Sequence, residues 1–557
     1  MSIEESKSSL GRRAFLGGLG VSSAVAAAGM SASSAFPREE SDSDDDGEPG
    51  VVAGEERLER AFQNRVRAAR AERAVKIPRQ VNNGDEALYP NRIGNHSKDL
   101  PHDAFGEVLP AAYDALLVAL ASGDSRDFEK IPLGGTVRIA NPQGGLAFTL
   151  QGIDSAQLAI PPAPALASAE RAGEMVEDYW MALAREVPFS RYGNEPITAA
   201  AIDELNRLSD FKGPRAHGQV TPDTLFRGST LGDLVGPYVS QFLLQPVRFG
   251  PVTNLAQKYN TYAAKDYLTT FAPWLACQNG QGPFGSNVPG GTSFIKNGRD
   301  LAAYDHVDYG GEGPVTALFW LQQHGAPFNP GNPYLALTKQ NSAASFGAQH
   351  IICLLYEVAM LASRAVFYQK WFVHRALRPE AYGGLVHKTL AGLADYPLHR
   401  EVLNSGAVSE VFSKYGTYLL PHADPEGCPQ HPAYPEQHSI ILGAQVTALK
   451  AFYDETIALR DLPNATLFVP SDDGQTLLPY TGFDAGAMTV GGELNKLGSN
   501  IALGRDIEAV HWRSDAWQGL LLGEAIAISV MRDQRRSFNE PFSGFTFTKF
   551  EGETITV

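Results

Sequence analysis

The sequence predicts a mainly α-helical protein made of helical bundles, with long loops and minor β-hairpins. Several long segments repeat apolar residues at helical spacing, and the segment 345–372 is apolar on nearly all sides, which is typical of a buried central helix. The segments 278–295 and 324–334 are rich in Gly, Pro and Asn, so we expect them to form long loops. The chemistry is therefore expected on loops and helix ends.

The first 56 residues are predicted to be an export signal and a linker. Gly11-Arg12-Arg13-Ala14-Phe15-Leu16 precedes a Gly/Ala-rich stretch and small residues at 33–35 that suit cleavage, a pattern that resembles a twin-arginine signal peptide over 1–35. Residues 36–56 are predicted to be a disordered acidic linker. We expect export to the periplasm or the extracellular space, and no membrane span in the mature protein.

The remaining chain is divided at residue 330 into an N-terminal helical region, 57–330, and a C-terminal helical domain, 331–557, that carries the candidate site. In the first region a hairpin is predicted at 134–153, where β-branched and aromatic residues alternate with turn glycines. Apolar periodicity predicts further helices in both regions. They span 57–74, 109–121, 168–185, 437–454, 492–503 and 514–535.

Composition excludes some classes of function. The 557-residue chain is 43% apolar, enough for a large core, and its formal net charge is −16. An acidic surface argues against nucleic acid as the main partner, because phosphate neutralisation needs a basic surface. Three widely spaced cysteines form no disulfide framework.

Two cations are predicted to meet at the end of the central helix. Lys370 lies at its C-terminal end, and Pro379 keeps Arg378 out of α geometry, so that Arg378 belongs to the following loop. The pair could bind an anion together, or it could only cap the last turn against the helix dipole.

The segment His431-Pro432-Ala433-Tyr434-Pro435-Glu436-Gln437-His438 is predicted to begin the next helix, with Pro435 at the first helical position. Free N–H groups at a helix start can bind an anion, and His438 in the first turn could exchange protons with it. Either histidine could instead be a buried structural or capping residue.

A third segment adds Arg505, expected just after a helix that ends near Gly504, and His511, expected just before the last long helix. An arginine fork suits a tetrahedral oxyanion. The imidazole could ligate an oxyanion metal centre or attack phosphorus. Asp515 could orient His511 or cap the helix.

In order, Lys-x7-Arg-Pro, His-Pro-x-Tyr-Pro-x-x-His and Arg-x5-His-x3-Asp resemble the vanadium-dependent haloperoxidases of the red-algal bromoperoxidase and bacterial types. More distantly they resemble the acid phosphatases of the same superfamily. The resemblance covers most of the chain from about residue 85. It implies a fold of two four-helix bundles, homodimers or larger homo-oligomers, and vanadate as the cofactor.

The resemblance also implies roles for these residues. Lys370, Arg378 and Arg505 would hold the vanadate oxygens, and His511 would be the metal ligand. Lys370 would also be catalytic, because it would polarise the bound peroxide. His438 would be the acid–base group and His431 would modulate halide reactivity. The implied reaction is oxidation of a halide, expected to be bromide, by hydrogen peroxide. The alternative is a phosphatase acting on a phosphate-like anion with His511 as the nucleophile.

One position departs from the family pattern Pro-Ser-Gly-His, because Glu436 and Gln437 replace the serine and glycine that would contact the anion. A carboxylate about 4 Å from an anion would be repelled by about 4 kcal/mol at an effective dielectric constant of ~20, roughly a thousandfold in affinity. Glu436 could be protonated, could pair with Arg375 or Arg378, or could fill the anion pocket itself. The last alternative would make the protein a non-catalytic relative.

Overall fold

The structure is a computed structural model that describes residues 54–557. The signal peptide and most of the linker predicted from the sequence lie outside the described residues. Helices dominate the described part of the chain. They are α1 (Glu55–Ala74), α2 (Asp85–Leu88), α3 (Pro110–Ser122), α4 (Ser125–Phe128), α5 (Ala169–Ala184), α6 (Pro196–Arg207), α7 (Phe271–Gln278), α8 (Gly298–Val307), α9 (Glu312–Gln323), α10 (Ala348–Tyr368), α11 (Pro379–Leu390), α12 (Arg400–Leu403), α13 (Gly406–Tyr415), α14 (Gln437–Phe452), α15 (Val490–Ile507) and α16 (Arg513–Arg535).

Short strands form separate antiparallel pairs at the periphery. The pairs are β1 (Val247–Phe249) with β2 (Val252–Leu255), β3 (Tyr259–Tyr262) with β4 (Pro289–Ser293), β5 (Phe468–Pro470) with β6 (Leu477–Pro479), and β7 (Thr546–Thr548) with β8 (Thr554–Thr556). The mainly α prediction is confirmed.

Helix α14 is the centre of the site-bearing bundle, because α10, α15 and α16 all pack against it. Its contact with α16 is close because both helices have a glycine there. A Cβ on Gly443 would lie 2.2 Å from the Leu520 carbonyl oxygen, and one on Gly523 would lie 2.1 Å from that of Ile440. This close packing fixes the start of α14 beside the start of α16.

A second group of helices surrounds α5, with α6, α12 and α13 packed against it. The two groups are joined by buried ion pairs and hydrogen bonds. Arg513 at the start of α16 pairs with Glu177 of α5 at 2.5 Å, and Arg185 donates to the Ile507 carbonyl at 2.7 Å. Residues 54–557 belong to one contact unit, and the division at residue 330 stays a prediction.

The predicted helices are present with ends shifted by a few residues. The predicted hairpin at 134–153 is wrong, because this segment contains a 3-10 turn at Pro142–Leu146 and no strand. The Thr136 and Val137 N–H groups donate to the Gly280 carbonyl, so this backbone pairs with a distant loop instead of with itself. Part of the predicted loop 278–295 is strand β4.

One helical stretch, Ala348–His374, is long and apolar enough to cross a membrane by length and composition alone. Of its most apolar 18-residue segment, 56% is buried inside the structure. The sequence predicts a buried central helix over 345–372 in this part of the chain. Its apolarity has a structural reason, because α10 packs against α14 and α16 inside the bundle.

Candidate active site

Lys370 enters the site through a break in helical geometry. After Tyr368 the chain forms a single π-helical turn, Gln369–His374, which ends at Arg375 in the left-handed region (φ 42°). Lys370 is fully buried, and its ammonium donates to the carbonyls of Pro432 (2.8 Å) and Ala433 (2.6 Å). An ammonium has three N–H donors, so one remains for a further acceptor.

Arg378 precedes α11 in extended geometry, as Pro379 predicts. Its guanidinium joins both histidine-bearing segments. Nε donates to the His431 carbonyl at 2.9 Å, and Nη2 lies 3.0 Å from His431 Nδ1. Nη1 donates to the Val510 carbonyl at 2.6 Å and lies 2.8 Å from His511 Nε2.

His511 is oriented by Asp515, one turn further along at the start of α16. Asp515 Oδ2 lies 2.7 Å from His511 Nδ1 and also accepts from the Trp512 N–H at 3.3 Å, so it both orients the imidazole and caps the helix. This geometry places the ring proton on Nδ1 and the lone pair on Nε2, the state a metal ligand needs. Burial and the nearby charge of Arg378 lower the pKa of His511 well below its usual value, which keeps the ring neutral.

Arg505 lies within α15, which continues to Ile507, so the prediction that the helix ends near Gly504 is wrong. Gly504 lets the Asp305 side chain approach α15, since a Cβ there would lie 1.6 Å from Asp305 Oδ2 unless that side chain moved. Arg505 Nη1 pairs with Glu508 at 2.7 Å and donates to the Asp305 carbonyl at 3.3 Å. Its Nε is buried and has no partner among the described residues.

Helix α14 begins at Gln437, as predicted for the helix over 437–454, and Glu436 is its N-cap, so the placement of Pro435 at the first helical position is wrong. Glu436 Oε1 accepts from the Ser439 N–H at 3.2 Å, and the Glu436 N–H donates to the Asp515 carbonyl at 3.2 Å. The other carboxyl oxygen, Oε2, is fully buried without a partner among the described residues.

These contacts decide between the alternatives for Glu436. Arg375 is paired with Glu86 at 2.6 Å, and Arg378 is bound by carbonyls and histidines, so pairing of Glu436 with either arginine is wrong. No hydrogen bond or ion pair joins its carboxyl to Lys370, Arg378 or Arg505 within residues 54–557. Burial raises the pKa of Glu436 well above its usual value, although Arg505 and Lys370 oppose the shift. The geometry favours the protonated form.

His438 and Gln437 lie at the solvent side of the first turn of α14, and both are half-buried. His438 Nε2 lies 3.0 Å from Asp308 Oδ1. Asp308 is the residue that follows α8. His431 is buried, with its Nδ1 beside Arg378 and its ring edge-on to Phe367 at 5.4 Å. Burial and the charges of Lys370 and Arg378 lower its pKa well below the usual value.

The buried cations fit an anion. Burial, together with the charge of Arg378, lowers the pKa of Lys370 well below its usual value, and burial lowers that of Arg378 to about 10. Burial raises the pKa of Asp515 to about 7, so this acid is a poor counter-ion near neutral pH, whereas Glu508 pairs with Arg505. Arg505 Nε, the remaining Lys370 N–H, His511 Nε2 and a neutral Glu436 Oε2 are all groups that can bind an oxyanion. The donor set therefore suits vanadate or phosphate.

Sequence reasoning missed three neighbours of the site. Asp308 contacts His438, and nothing in the sequence links the two. Glu508 pairs with Arg505. Their i, i+3 spacing would have predicted this pair if the helix had been expected to continue for one more turn. His96 is buried near Lys370 and Arg378, whose charges, with burial, lower its pKa.

The chain is similar to known proteins along most of its length. It is 35% identical over 544 residues to a vanadium-dependent bromoperoxidase of Ascophyllum nodosum, covering 92% of this chain and 94% of that protein. It is 32% identical over 597 residues to the vanadium-dependent bromoperoxidase of Corallina pilulifera, covering 90% and 98%.

A solved structure of a second vanadate-dependent bromoperoxidase of A. nodosum, a homohexamer, matches this structure with a TM-score of 0.85. That chain is 32% identical, and the match covers 90% of both chains. No protein-family profile matches the chain.

Proposed function

Because the chain belongs to the vanadium-dependent bromoperoxidase family, we propose that it is a vanadate-dependent peroxidase that oxidises bromide with hydrogen peroxide. The observation that supports this function is the buried convergence of Arg378, His431 and His511 beside Lys370. Bound vanadate supplies the Lewis acid that activates hydrogen peroxide for attack by the halide.

The cations would hold the oxyanion and orient it. Lys370 has a free N–H and is rigid because two carbonyls fix its ammonium. Arg505 offers its unpartnered Nε from the opposite helix, where Glu508 holds the guanidinium in place. Donors fixed before binding need no reorganisation when charge develops, which is the main electrostatic contribution to catalysis.

His511 would be the metal ligand through Nε2. Asp515 holds the proton on Nδ1, so Nε2 presents its lone pair. When an anion binds, Arg378 Nη1 would exchange its contact with His511 Nε2 for one with an anion oxygen. Partners that fix the tautomer of a ligating histidine typically change metal affinity or activity 10–100-fold, roughly, when they are removed.

Glu436 would take over the role of a hydroxyl donor. In its protonated form Oε2 can donate to an oxyanion oxygen while Oε1 keeps the cap on Ser439. The roughly thousandfold penalty expected for a carboxylate then does not arise, because the neutral acid carries no charge. Gln437 contributes the first backbone N–H of α14, whose dipole favours an anion.

Proton supply would come from His438. Oxidation of one bromide by one hydrogen peroxide to hypobromous acid and water consumes one proton. His438 is half-exposed and held by Asp308, so it can take a proton from solvent and present it at the mouth of the site. His431, held neutral between Lys370 and Arg378, would shape the halide approach.

A vanadate titration followed by vanadium-51 NMR tests this function. We expect the wild type and an Arg460→Gln control, which changes an exposed arginine, to bind one vanadate per chain and to brominate a dye with peroxide and bromide. Arg505→Gln should lose roughly tenfold or more of the affinity, because a charge-assisted contact contributes about 1.5–3 kcal/mol. Hydrolysis of p-nitrophenyl phosphate without vanadate would instead favour the phosphatase, and silence in both assays would contradict an oxyanion enzyme.

We also propose export and assembly. The Arg12-Arg13 signal pattern supports transport by the twin-arginine route to the periplasm or beyond. The homohexameric relative supports a homo-oligomer. Fusion of residues 1–35 to a reporter that is active only after folded export tests the first, with Arg12→Lys plus Arg13→Lys as the control that should stop transport.

A further inference from the structure

A buried ion pair lies next to the candidate active site. Glu380 is in the first turn of α11, two residues after Arg378, and Lys98 comes from the loop between α2 and α3. Their charged groups are 3.2 Å apart, and the two side chains are almost fully buried. The Lys98 ammonium also donates to the carbonyls of Glu426 (2.9 Å) and Cys428 (2.5 Å). All three of its N–H donors are thereby used.

Glu380 binds the same part of the chain as Lys98. Its Oε2 accepts from the Cys428 N–H at 2.6 Å, and its backbone carbonyl accepts from Trp274 Nε1 at 2.9 Å. Although burial opposes the shift, the charge of Lys98 lowers the pKa of Glu380, so the carboxylate stays ionised. The ion pair therefore adds no net charge to the interior beside Arg378.

The segment 426–433 is held at both of its ends. Lys98 and Glu380 bind it at residues 426 and 428. Arg378 and Lys370 bind the carbonyls of residues 431, 432 and 433, at distances of 2.9, 2.8 and 2.6 Å. The two site cations therefore take their directions from a segment that the ion pair holds in place.

A metal ion is another cation that this cluster could hold by its composition. Ligand atoms of Glu380, His422 and Cys428 lie within 4.8 Å of one another. Both Glu380 oxygens already accept hydrogen bonds, however, one from the Gln278 amide and the other from the Cys428 N–H. The Lys98 ammonium supplies the positive charge beside them. The cation of this cluster is therefore Lys98.

We propose that Lys98 and Glu380 are positioning residues of the vanadate site. Their ion pair fixes the segment 426–433, and this segment fixes the directions of the Lys370 ammonium and the Arg378 guanidinium before an anion binds. Donors that are fixed in advance need no reorganisation on binding. The inference rests on the proposed function, and it adds a residue of the N-terminal region to a site whose proposed anion-binding residues all lie after residue 330.

Two substitutions separate positioning from simple electrostatics. Lys98→Met removes a positive charge and Glu380→Gln removes a negative one, so charge alone would weaken anion binding in the first variant and strengthen it in the second. Positioning predicts that both variants bind more weakly, because either change releases the segment 426–433. We expect each to lose about tenfold or more of the affinity for orthovanadate and for inorganic phosphate, as is typical when a group that orients a ligand-binding residue is removed.

Vanadium-51 NMR of the full chain measures the vanadate affinity, and the chemical shift of bound vanadate reports its coordination geometry. Calorimetry measures phosphate binding, and thermal unfolding measures stability. Lys496→Met is the matched control, because Lys496 forms an equally buried pair with Glu493 at 2.5 Å and donates to the Val235 carbonyl instead of to the segment 426–433. It should lose stability as well, but keep both anion affinities within about twofold of the wild type.

Unchanged affinity and chemical shift in Lys98→Met and Glu380→Gln would overturn the inference, because the pair would then be structural alone. Opposite effects of the two substitutions, or an equal loss of affinity in Lys496→Met, would overturn it too. If Lys98→Met does not fold, Lys98→Arg keeps the charge without the geometry of the ammonium, and it should still bind vanadate more weakly than the wild type; equal affinity would overturn the inference. A wild type that binds neither anion would overturn the proposed function as well, so the two failures are distinguishable.

Discussion

Glu436 shows how one substitution can be accommodated in an anion site. Its backbone keeps the position of an N-cap, and among the described residues its carboxyl forms no ion pair with Lys370, Arg378 or Arg505. Because burial raises its pKa, the side chain is expected to act as a neutral donor. The loss of a hydroxyl therefore need not abolish anion binding, provided that the acid holds its proton.

Glu436→Gln tests this state through pH. A raised pKa in the folded protein means that stability is full below the unfolded value, about 4.3, and falls as pH rises towards the folded value. We expect the wild type to lose more thermal stability than Glu436→Gln between pH 5 and pH 8, at fixed protein concentration. Glu410→Gln, at an exposed glutamate, should behave like the wild type. Parallel curves for all three proteins would show that Glu436 is ionised throughout.

The contact between α14 and α16 sets the geometry of the site at the scale of elements. Glu436 precedes α14 and its N–H donates to Asp515, the residue that orients His511 at the start of α16. The two helices approach each other closely at Gly443 and Gly523, and this contact holds their first turns together.

Gly443→Ala should therefore destabilise the protein, because the new methyl would meet the Leu520 carbonyl oxygen at 2.2 Å. Overpacking of this kind typically costs about 1–3 kcal/mol. Gly173→Ala is the matched control in α5, where the nearest atom lies at 3.4 Å and alanine favours the helix. Thermal unfolding of both variants measures the difference, and an unchanged midpoint for Gly443→Ala would mean that the helices can separate at no cost.

The sequence predicts the long helices and the loop that carries Arg378, because periodicity and proline are local signals. Pro379 predicts the extended backbone of Arg378, and the structure has it. The hairpin prediction at 134–153 failed because its backbone partner, Gly280, is distant in sequence. The prediction of a helix end near Gly504 failed for the same reason. The glycine is explained by the close approach of Asp305, which is distant in sequence. The pairing of His438 with Asp308 likewise depends on tertiary packing.

At the scale of the whole molecule, the site is a buried concentration of positive charge in an acidic protein. The formal net charge is −16, yet Lys370, Arg378 and Arg505 are all buried, and burial together with the charges of Arg378 and Arg505 lowers the pKa of Lys370. Burial raises the pKa of Asp515 to about 7, so this acid neutralises Lys370 and Arg378 only in part near neutral pH. The folded state therefore favours an added anion.

Orthovanadate should raise the thermal midpoint of unfolding. A ligand at a hundred times its dissociation constant stabilises the folded state by about 2.7 kcal/mol, since it binds the folded form alone. We expect a shift of a few degrees in the wild type at fixed protein concentration, a smaller one with phosphate, and little with sulfate at the same ionic strength. Arg505→Gln should reduce the shift, and an equal shift with all three salts would indicate a general salt effect.

The π-helical turn after α10 has a consequence for how the chain tolerates insertions and deletions. Each residue added to or removed from a helix rotates the downstream residues by about 100°. A deletion between Lys370 and Arg375 would therefore turn Arg375 away from Glu86 and misdirect the approach to Arg378, even though every charged residue was retained. A homologue can retain all three cations and still have a π-helical turn that is one residue shorter. We expect such a homologue not to hold the three cations in the arrangement seen here.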